Sequence, residues 1–179
     1  MSIQVFILSK LMEGNNYPYK VKKELSEFIP LDKLTRLTES KLYYHFESLT
    51  KHGYIEVVEV IKEEHRPDKQ VFAITDKGRK EFPQKIYKLF EKGDSIRDFL
   101  PGLENIKYVD RSKIVEILER KIDGIHADWE KTKDFGKRVK GDHNNETIIH
   151  FVRDYFSTRT EHTLHWMEEL VNLIKEEKI

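Results

Sequence analysis

The stretch LTESKLYYHFESLTKHGYI, residues 37–55, decides how this sequence folds. Thr38 is a favoured N-cap residue, and it predicts that a helix begins at Glu39, where an acidic side chain is favourable. Apolar residues follow at spacings of four and three, namely Leu42, Phe46 and Leu49. These spacings place the three side chains on one face. The stretch therefore predicts a helix over residues 39–51 with one apolar face, closed by Gly53 as a C-cap.

The segments around this helix complete a known order of elements. Two helices are predicted before it, over residues 2–13 and 17–28. After it, YIEVVEVI (54–61) and QVFAIT (70–75) are rich in β-branched and aromatic residues, so they predict a β-hairpin whose long tip is the polar loop KEEHRPDK. A fourth helix is predicted from about Asp76 to Lys92. Three helices, a hairpin and a helix are the order of a winged helix-turn-helix domain.

The remainder of the chain reads as helix throughout. A short helix in DSIRDFLPGLENI is predicted to end at Pro101-Gly102, and a heptad-like run follows from Arg111. The last helix, about 145–176, carries two apolar stripes, more than so small a domain can bury alone. We therefore expect a homodimer anchored by three residues, Trp166, Leu170 and Leu173.

The predicted architecture is thus mainly α with a small β-hairpin wing, in two domains. Residues 1–92 form a winged helix-turn-helix DNA-binding domain, and residues 93–179 form a helical dimerisation and effector domain. Basic residues are in slight excess in the first part and acidic residues in the second. This asymmetry suits a nucleic-acid reader joined to a partner domain.

The side chains that we expect to meet DNA lie on the predicted third helix, the second helix and the wing. With the apolar face turned inward, hydroxyl, amine and aromatic groups point outward. These are the kinds of groups that contact DNA phosphates and base edges. The candidates are Thr38, Ser40, Lys41, Tyr43, Tyr44, Lys20, Lys22, Lys23, Lys62, Arg66 and Lys69. Two alternatives stay open. In one, Tyr43 packs in the core instead of contacting DNA. In the other, the wing is a solvated charged loop, since Glu63, Glu64 and Asp68 share its tip.

Several of these motifs resemble the PadR family of bacterial transcriptional regulators. The matching motifs are Leu42-Tyr43 on the third helix, Gly53-Tyr54-Ile55 opening the wing, Thr75-Asp76-Lys77-Gly78 after it, and YPYKVKKEL upstream. Pro18 stands where the family usually has Gly, and Glu39 stands where Pro is common. The resemblance implies a homodimeric repressor that releases its operator when a small molecule or stress signal acts. A symmetric dimer in turn predicts a palindromic operator. Because the opening residues read as neither a signal peptide nor a membrane span, we expect a cytoplasmic protein.

The resemblance also implies a site for a flat hydrophobic or aromatic effector. Trp129, Phe135 and Trp166 are the candidate lining residues, with plain core packing as the alternative. The main alternative function is a winged-helix module that binds a ligand or a protein without controlling genes.

Other chemistry is disfavoured by what the sequence lacks. There is no Cys, which excludes disulfide scaffolds, thiolate metal sites and Cys nucleophiles. No HExxH, GxSxG or Gly-rich phosphate loop is present, so we expect no enzyme and no cofactor. Glu161, His162 and His165 fall short of a metal-ligand pattern and are interpreted as polar helix surface, so no metal is expected. The opening MSIQVFILSKLMEG resembles neither a signal peptide nor a membrane span.

Overall fold

A computed structural model describes residues 2–28, 38–63, 66–132 and 143–179 of the chain. The chain divides into two compact units, Met1–Leu89 and Phe90–Ile179.

The first unit has the predicted winged-helix order. Its elements are α1 (Ser2–Glu13), α2 (Pro18–Phe28), α3 (Glu39–Lys51), β1 (Ile55–Glu63), β2 (Arg66–Ile74) and α4 (Asp76–Lys92), whose last residues belong to the second unit. The predicted fold class, mainly α with a β-hairpin wing, is confirmed.

The core of the first unit forms around α3. Leu42, Phe46 and Leu49 are each almost fully buried, as their spacing predicts. The ring of Phe46 packs against that of Phe72 on β2, with centroids 4.9 Å apart. Helix α1 is buried on most sides and contacts α2, α3 and β2. Burial of these apolar side chains, at roughly 1.5–3 kcal/mol each, is the main force that fixes α3 in place.

The hairpin differs from its prediction at the tip. The expected eight-residue loop is largely strand, because β1 runs to Glu63 and β2 begins at Arg66. Backbone pairing continues into the polar segment, where Lys69 pairs with Ile61 and Arg66 pairs with Glu63. Such a ladder depends on main-chain hydrogen bonds rather than on side-chain type, so the polar composition misled the prediction. Glu64 and His65, within the predicted loop, lie outside the described residues.

A short third segment joins the hairpin at β2. The amide of Asn16 donates to the carbonyl of Phe72 at 3.0 Å, and the amide of Phe72 donates back to the carbonyl of Asn16 at 2.8 Å. The connection between α1 and α2 is therefore tied to the base of the wing, while β1 is the other edge of the sheet.

The second unit contains α5 (Ile96–Leu103), a 3-10 turn (Ile106–Tyr108), α6 (Arg111–Thr132) and α7 (His143–Lys175). The prediction that Pro101-Gly102 ends α5 is wrong, because the helix includes both residues. A proline removes one backbone donor, and in this last turn the cost is small. Asn105 also stabilises the turn, since its side-chain amide donates to the carbonyl of Pro101 at 2.8 Å.

Helices α6 and α7 pack side by side in antiparallel directions. Lys175 Nζ lies 2.6 Å from Glu119 Oε1, and His126 Nε2 lies 3.8 Å from Glu168 Oε1. In this register Thr132 is level with about residue 162 of α7. The first part of α7 therefore extends roughly 30 Å beyond the described end of α6. Within the described ranges, no helix combines the length and apolar character needed to span a membrane.

Candidate DNA-binding surface

Helix α3 begins at the position that its cap residue predicts. The backbone of Thr38 is extended, and its Oγ1 accepts a hydrogen bond from the amide of Lys41 at 3.3 Å. An N-cap of this kind satisfies one of the amides that the first turn leaves without a helical partner. Glu39 is consequently the first residue of the helix.

The outer face of α3 is polar and aromatic. Ser40 and Lys41 are exposed, Tyr43 is 50% exposed and Tyr44 is 66% exposed. The alternative in which Tyr43 packs in the core is therefore wrong. Ser48, further along the helix, is turned toward α1, where its Oγ accepts a hydrogen bond from Gln4 Nε2 at 3.4 Å. The predicted DNA-contacting residues of α3 that are exposed therefore lie in its first two turns.

His45 lies on the flank of α3 between the exposed face and the core. Its Nδ1 is buried and has no hydrogen-bond partner among the described residues. Burial lowers the pKa of His45 below its ordinary value, because a desolvated imidazole resists taking on charge. The ring therefore stays neutral to a lower pH than the ring of a solvated histidine does.

The three candidate lysines of α2 have different surroundings. Lys22 Nζ lies 2.5 Å from Glu39 Oε1, an ion pair that joins α2 to α3. Lys20 Nζ lies 3.8 Å from Glu24 Oε1 on its own helix, and Lys23 is exposed. The structure thus brings Lys22 to the start of α3.

The wing cations are also placed unequally. Lys62 is exposed on β1, whereas Lys69 is half-buried, with its Nζ 5.6 Å from the centre of the Tyr17 ring. A cation over an aromatic face gains about 0.5–1 kcal/mol at such sites. The backbone of Arg66 begins β2 opposite Glu63, and its side chain lies outside the described residues. Lys69 is therefore held against the α1–α2 connection rather than projecting from the tip.

The motifs before and after the wing form one interlocked turn. Thr75 Oγ1 donates to the carbonyl of Gly53 at 2.7 Å and accepts from the amide of Gly78 at 3.0 Å, so it caps α4 and ties it to the end of α3. Gly53 has φ +69°, which favours glycine. Gly78 has no room for a β-carbon, because the carbonyl of Tyr54 occupies that place. These contacts fix the direction in which the wing leaves α3.

The residues expected at the dimer and effector sites lie in the second unit. Trp129 is half-buried on α6 and is level with Trp166, which is 49% exposed. Trp166 Nε1 donates to His162 Nε2 at 3.1 Å. Leu170 is already buried within the chain, and Leu173 is half-buried. Phe135 lies outside the described residues.

Comparison with known proteins places the chain in a family. Residues 7–84 match the family described as the transcriptional regulator PadR-like family. The structure of a transcriptional regulator from Clostridium thermocellum is 33% identical, and the match covers 48% of this chain and 79% of that one, with a TM-score of 0.38. Residues 7–84, the winged-helix part of the chain, belong to the PadR-like family of transcriptional regulators.

Further solved structures resemble this PadR-like protein along most of its length. PadR of Bacillus subtilis, solved in complex with operator DNA, is 17% identical over 97% of this chain and 99% of that one, with a TM-score of 0.41. A PadR-like regulator of Bacillus cereus is 25% identical over 95% and 96%, with a TM-score of 0.37. No curated protein matches the chain.

Sequence reasoning about this PadR-like protein missed two features. One is the Lys22–Glu39 ion pair, which the sequence does not signal because its partners are 17 positions apart. The other is the extent of the exposed apolar face on α7, formed by Ile148, Phe151, Val152, Tyr155 and Phe156. The greater length of α7 relative to α6 is a signal that could have revealed it.

The described residues of the PadR-like protein contain no group of three metal-ligating side chains. Glu161 Oε1 instead accepts a hydrogen bond from Ser157 Oγ at 3.0 Å, and His162 is engaged by Trp166. These contacts account for two of the side chains that the sequence analysis interpreted as polar helix surface.

Proposed function

We propose that this PadR-like regulator is a homodimeric repressor that binds a palindromic operator through α3 and releases it when a small-molecule or stress signal acts. Membership of a family of transcriptional regulators supports gene control as the role. The observation that carries the proposal is the outer face of α3, where two tyrosines, a serine and a lysine are exposed beside a fully buried apolar face. Such a face loses free energy by exposing aromatic area to water unless a ligand covers it.

The proposal assigns DNA binding to residues 1–92 and dimerisation and effector binding to residues 93–179. In a helix-turn-helix domain the second helix of the motif enters the major groove with its N-terminal residues toward the bases. Here that helix is α3, and the residues at its start are solvent-accessible rather than packed. Ser40, Lys41, Tyr43 and Tyr44 are proposed to meet base edges and the flanking phosphates, with Thr38 beside them.

Phosphate contacts outside the groove are proposed for the cations of α2 and the wing. Lys20, Lys23, Lys62, Arg66 and Lys69 supply positive charge that releases counterions when it meets phosphate. Lys69 keeps a fixed position through the Tyr17 ring, so less side-chain entropy is lost when it binds. These contacts hold the protein on DNA without reading its sequence.

A homodimer is supported by the apolar face of α7. Five large apolar side chains between Ile148 and Phe156 are exposed, and Phe151 is 70% exposed. Exposed apolar patches of this kind mark interaction surfaces in soluble proteins. A second copy of the chain would cover this face. Trp166 and Leu173, near the C-terminal end of α7, would belong to the same interface. Two copies of α3 would then read half-sites about 34–36 Å apart, one turn of B-DNA.

The effector site is proposed where Trp129 and Trp166 come level on α6 and α7. A flat hydrophobic molecule packed against these rings would alter the pairing of α6 with α7, and thereby the dimer. Release follows if the ligand binds the DNA-free arrangement more tightly than the DNA-bound one. Phe135, which lies between α6 and α7 in the sequence, is proposed to line the same site.

The experiment that tests the proposed function is a salt-dependent gel shift with the promoter fragment of the protein's own gene and a scrambled duplex of equal length. A sequence-specific regulator shifts the promoter fragment at concentrations at least about a thousandfold lower than the scrambled duplex. Equal binding to both duplexes, or none to either, contradicts the proposal. Absence of binding to either duplex favours a winged-helix module that binds ligands or proteins without gene control, whereas equal binding to both indicates contacts with phosphate alone.

A further inference from the structure

The Lys22–Glu39 ion pair lies at the entrance to the proposed DNA-binding face. Glu39 is the first residue of α3, and Lys22 reaches it from α2 with Nζ 2.5 Å from Oε1. The Glu39 side chain is 61% exposed and the Lys22 side chain 35% exposed. Both charged groups are therefore accessible to a ligand that approaches the start of α3.

The ion pair contributes little to folding. Exposed pairs of this kind gain little because water screens the attraction and two long side chains must be ordered. Helices α2 and α3 also contact one another apart from this pair, and each buries apolar side chains in the core. A role in recognition accounts better for an acidic side chain at the groove-facing end of a proposed DNA-binding helix.

The chemistry of the pair matches one edge of a base pair. A carboxylate only accepts hydrogen bonds and an ammonium only donates them. In the major groove cytosine presents an N4 donor, and the guanine opposite presents the O6 and N7 acceptors. Adenine also offers a donor, but its neighbouring N7 is an acceptor that repels a carboxylate. An adjacent acceptor and donor on the protein are thus complementary to a C·G pair.

We infer that the Lys22–Glu39 pair reads one C·G base pair of the operator, Glu39 accepting from cytosine N4 and Lys22 donating to the guanine. This inference rests on the proposed function, and it adds base-reading residues that the outer face of α3 does not include. The two charges arrive already paired and nearly neutral. A carboxylate can therefore approach the phosphates without the full repulsion that it would meet alone, and the positive end of the helix dipole reduces that repulsion further.

The test is selection of binding sites from random duplex DNA with the full chain and its variants. The wild type is expected to enrich a palindromic consensus that contains one invariant C·G pair in each half-site. Glu39→Met and Lys22→Met are both expected to lose the preference at that same pair, because methionine lacks the carboxylate acceptor and the ammonium donor. When it is changed to T·A, wild-type affinity should fall about tenfold and variant affinity less than threefold. The matched controls are Glu47→Met on α3 and Lys80→Met on α4, both exposed and outside the proposed DNA contacts, which should keep the wild-type consensus.

A charge-reversed double variant separates reading from structural support. Lys22→Glu combined with Glu39→Lys keeps an ion pair between the two helices but exchanges donor and acceptor, so the preferred pair should no longer be C·G. An unchanged consensus in the double variant, or in Glu39→Met, overturns the inference and leaves the proposed function standing. Failure of the wild type to enrich any consensus overturns both.

Discussion

The carbonyl oxygen of Tyr54 occupies the space that a β-carbon on Gly78 would need. Both residues belong to the turn that ties the end of α3 to the start of α4, where Thr75 bonds to Gly53 on one side and to Gly78 on the other. Glycine is required at this position because the two backbones approach closely. Backbone conformation is not the reason, since the φ of Gly78 is not in the left-handed region. The base of the wing therefore tolerates only glycine at position 78.

Gly78→Ala is expected to destabilise the protein by about 1–3 kcal/mol, because the methyl group would force the backbone of Tyr54 aside. Chemical denaturation followed by circular dichroism measures this change. Gly124→Ala is the matched control, since a β-carbon at Gly124 meets nothing within 4 Å. Alanine should stabilise α6 there by up to about 1 kcal/mol. Equal effects of the two substitutions would contradict the close approach.

The half-buried ring of His45 predicts a pH dependence of stability. Burial lowers its pKa in the folded state, so below about pH 6.5 the unfolded chain binds the proton more tightly. The free energy of unfolding should therefore fall as the pH drops below about 6.5 toward the folded-state pKa of His45. Above about pH 6.5 the ring is neutral in both the folded and the unfolded chain, so His45 causes no further change in stability there. Thermal unfolding from pH 8 to pH 5 should show a smaller loss for His45→Gln than for the wild type. Parallel profiles for the two proteins would exclude His45 as the source.

Lys62 is exposed on β1 and should contact phosphate rather than bases. Lys62→Ala is expected to weaken binding to every duplex by the same factor and to reduce the slope of log affinity against log salt by about one unit. Fluorescence anisotropy at several salt concentrations measures both quantities. Lys131→Ala, an exposed lysine on α6, should leave the slope unchanged. A changed sequence preference in Lys62→Ala would mean that the wing reads bases.

The apolar face of α7 predicts the oligomeric state. The wild type should sediment as a dimer at micromolar concentration, and Phe151→Glu should shift it toward monomer, since a charge would be buried in the interface. Asn172→Glu introduces the same charge at an exposed position of the same helix and should remain dimeric. A monomeric wild type would contradict the proposed assembly.

Much of the first unit could be predicted from local sequence signals. The cap at Thr38 and the spacing of Leu42, Phe46 and Leu49 are properties of consecutive residues, and they gave the bounds and the buried face of α3 correctly. The end of the hairpin could not be predicted in the same way. Pairing of Ile61 with Lys69 depends on backbone hydrogen bonds, which leave no mark on composition.

Contacts between separate elements were the least predictable part of the candidate site. The approach of Lys22 to Glu39 follows from how α2 packs on α3, and burial of Leu170 follows from how α7 packs within its own unit. Each depends on tertiary packing rather than on helical periodicity. Periodicity showed that α7 has apolar stripes, but it could not show which residues the chain itself covers.

The central claim, that α3 reads DNA sequence, is tested most directly by the ratio of dissociation constants for the selected operator and a scrambled duplex at one salt concentration. The wild-type ratio should be about a thousandfold or more. Tyr44→Ala should lower it by about 10–100-fold, equivalent to about 1–3 kcal/mol at the contacted base pair, while binding to the scrambled duplex stays unchanged. A wild-type ratio near one, or the same high ratio in Tyr44→Ala, would contradict the account.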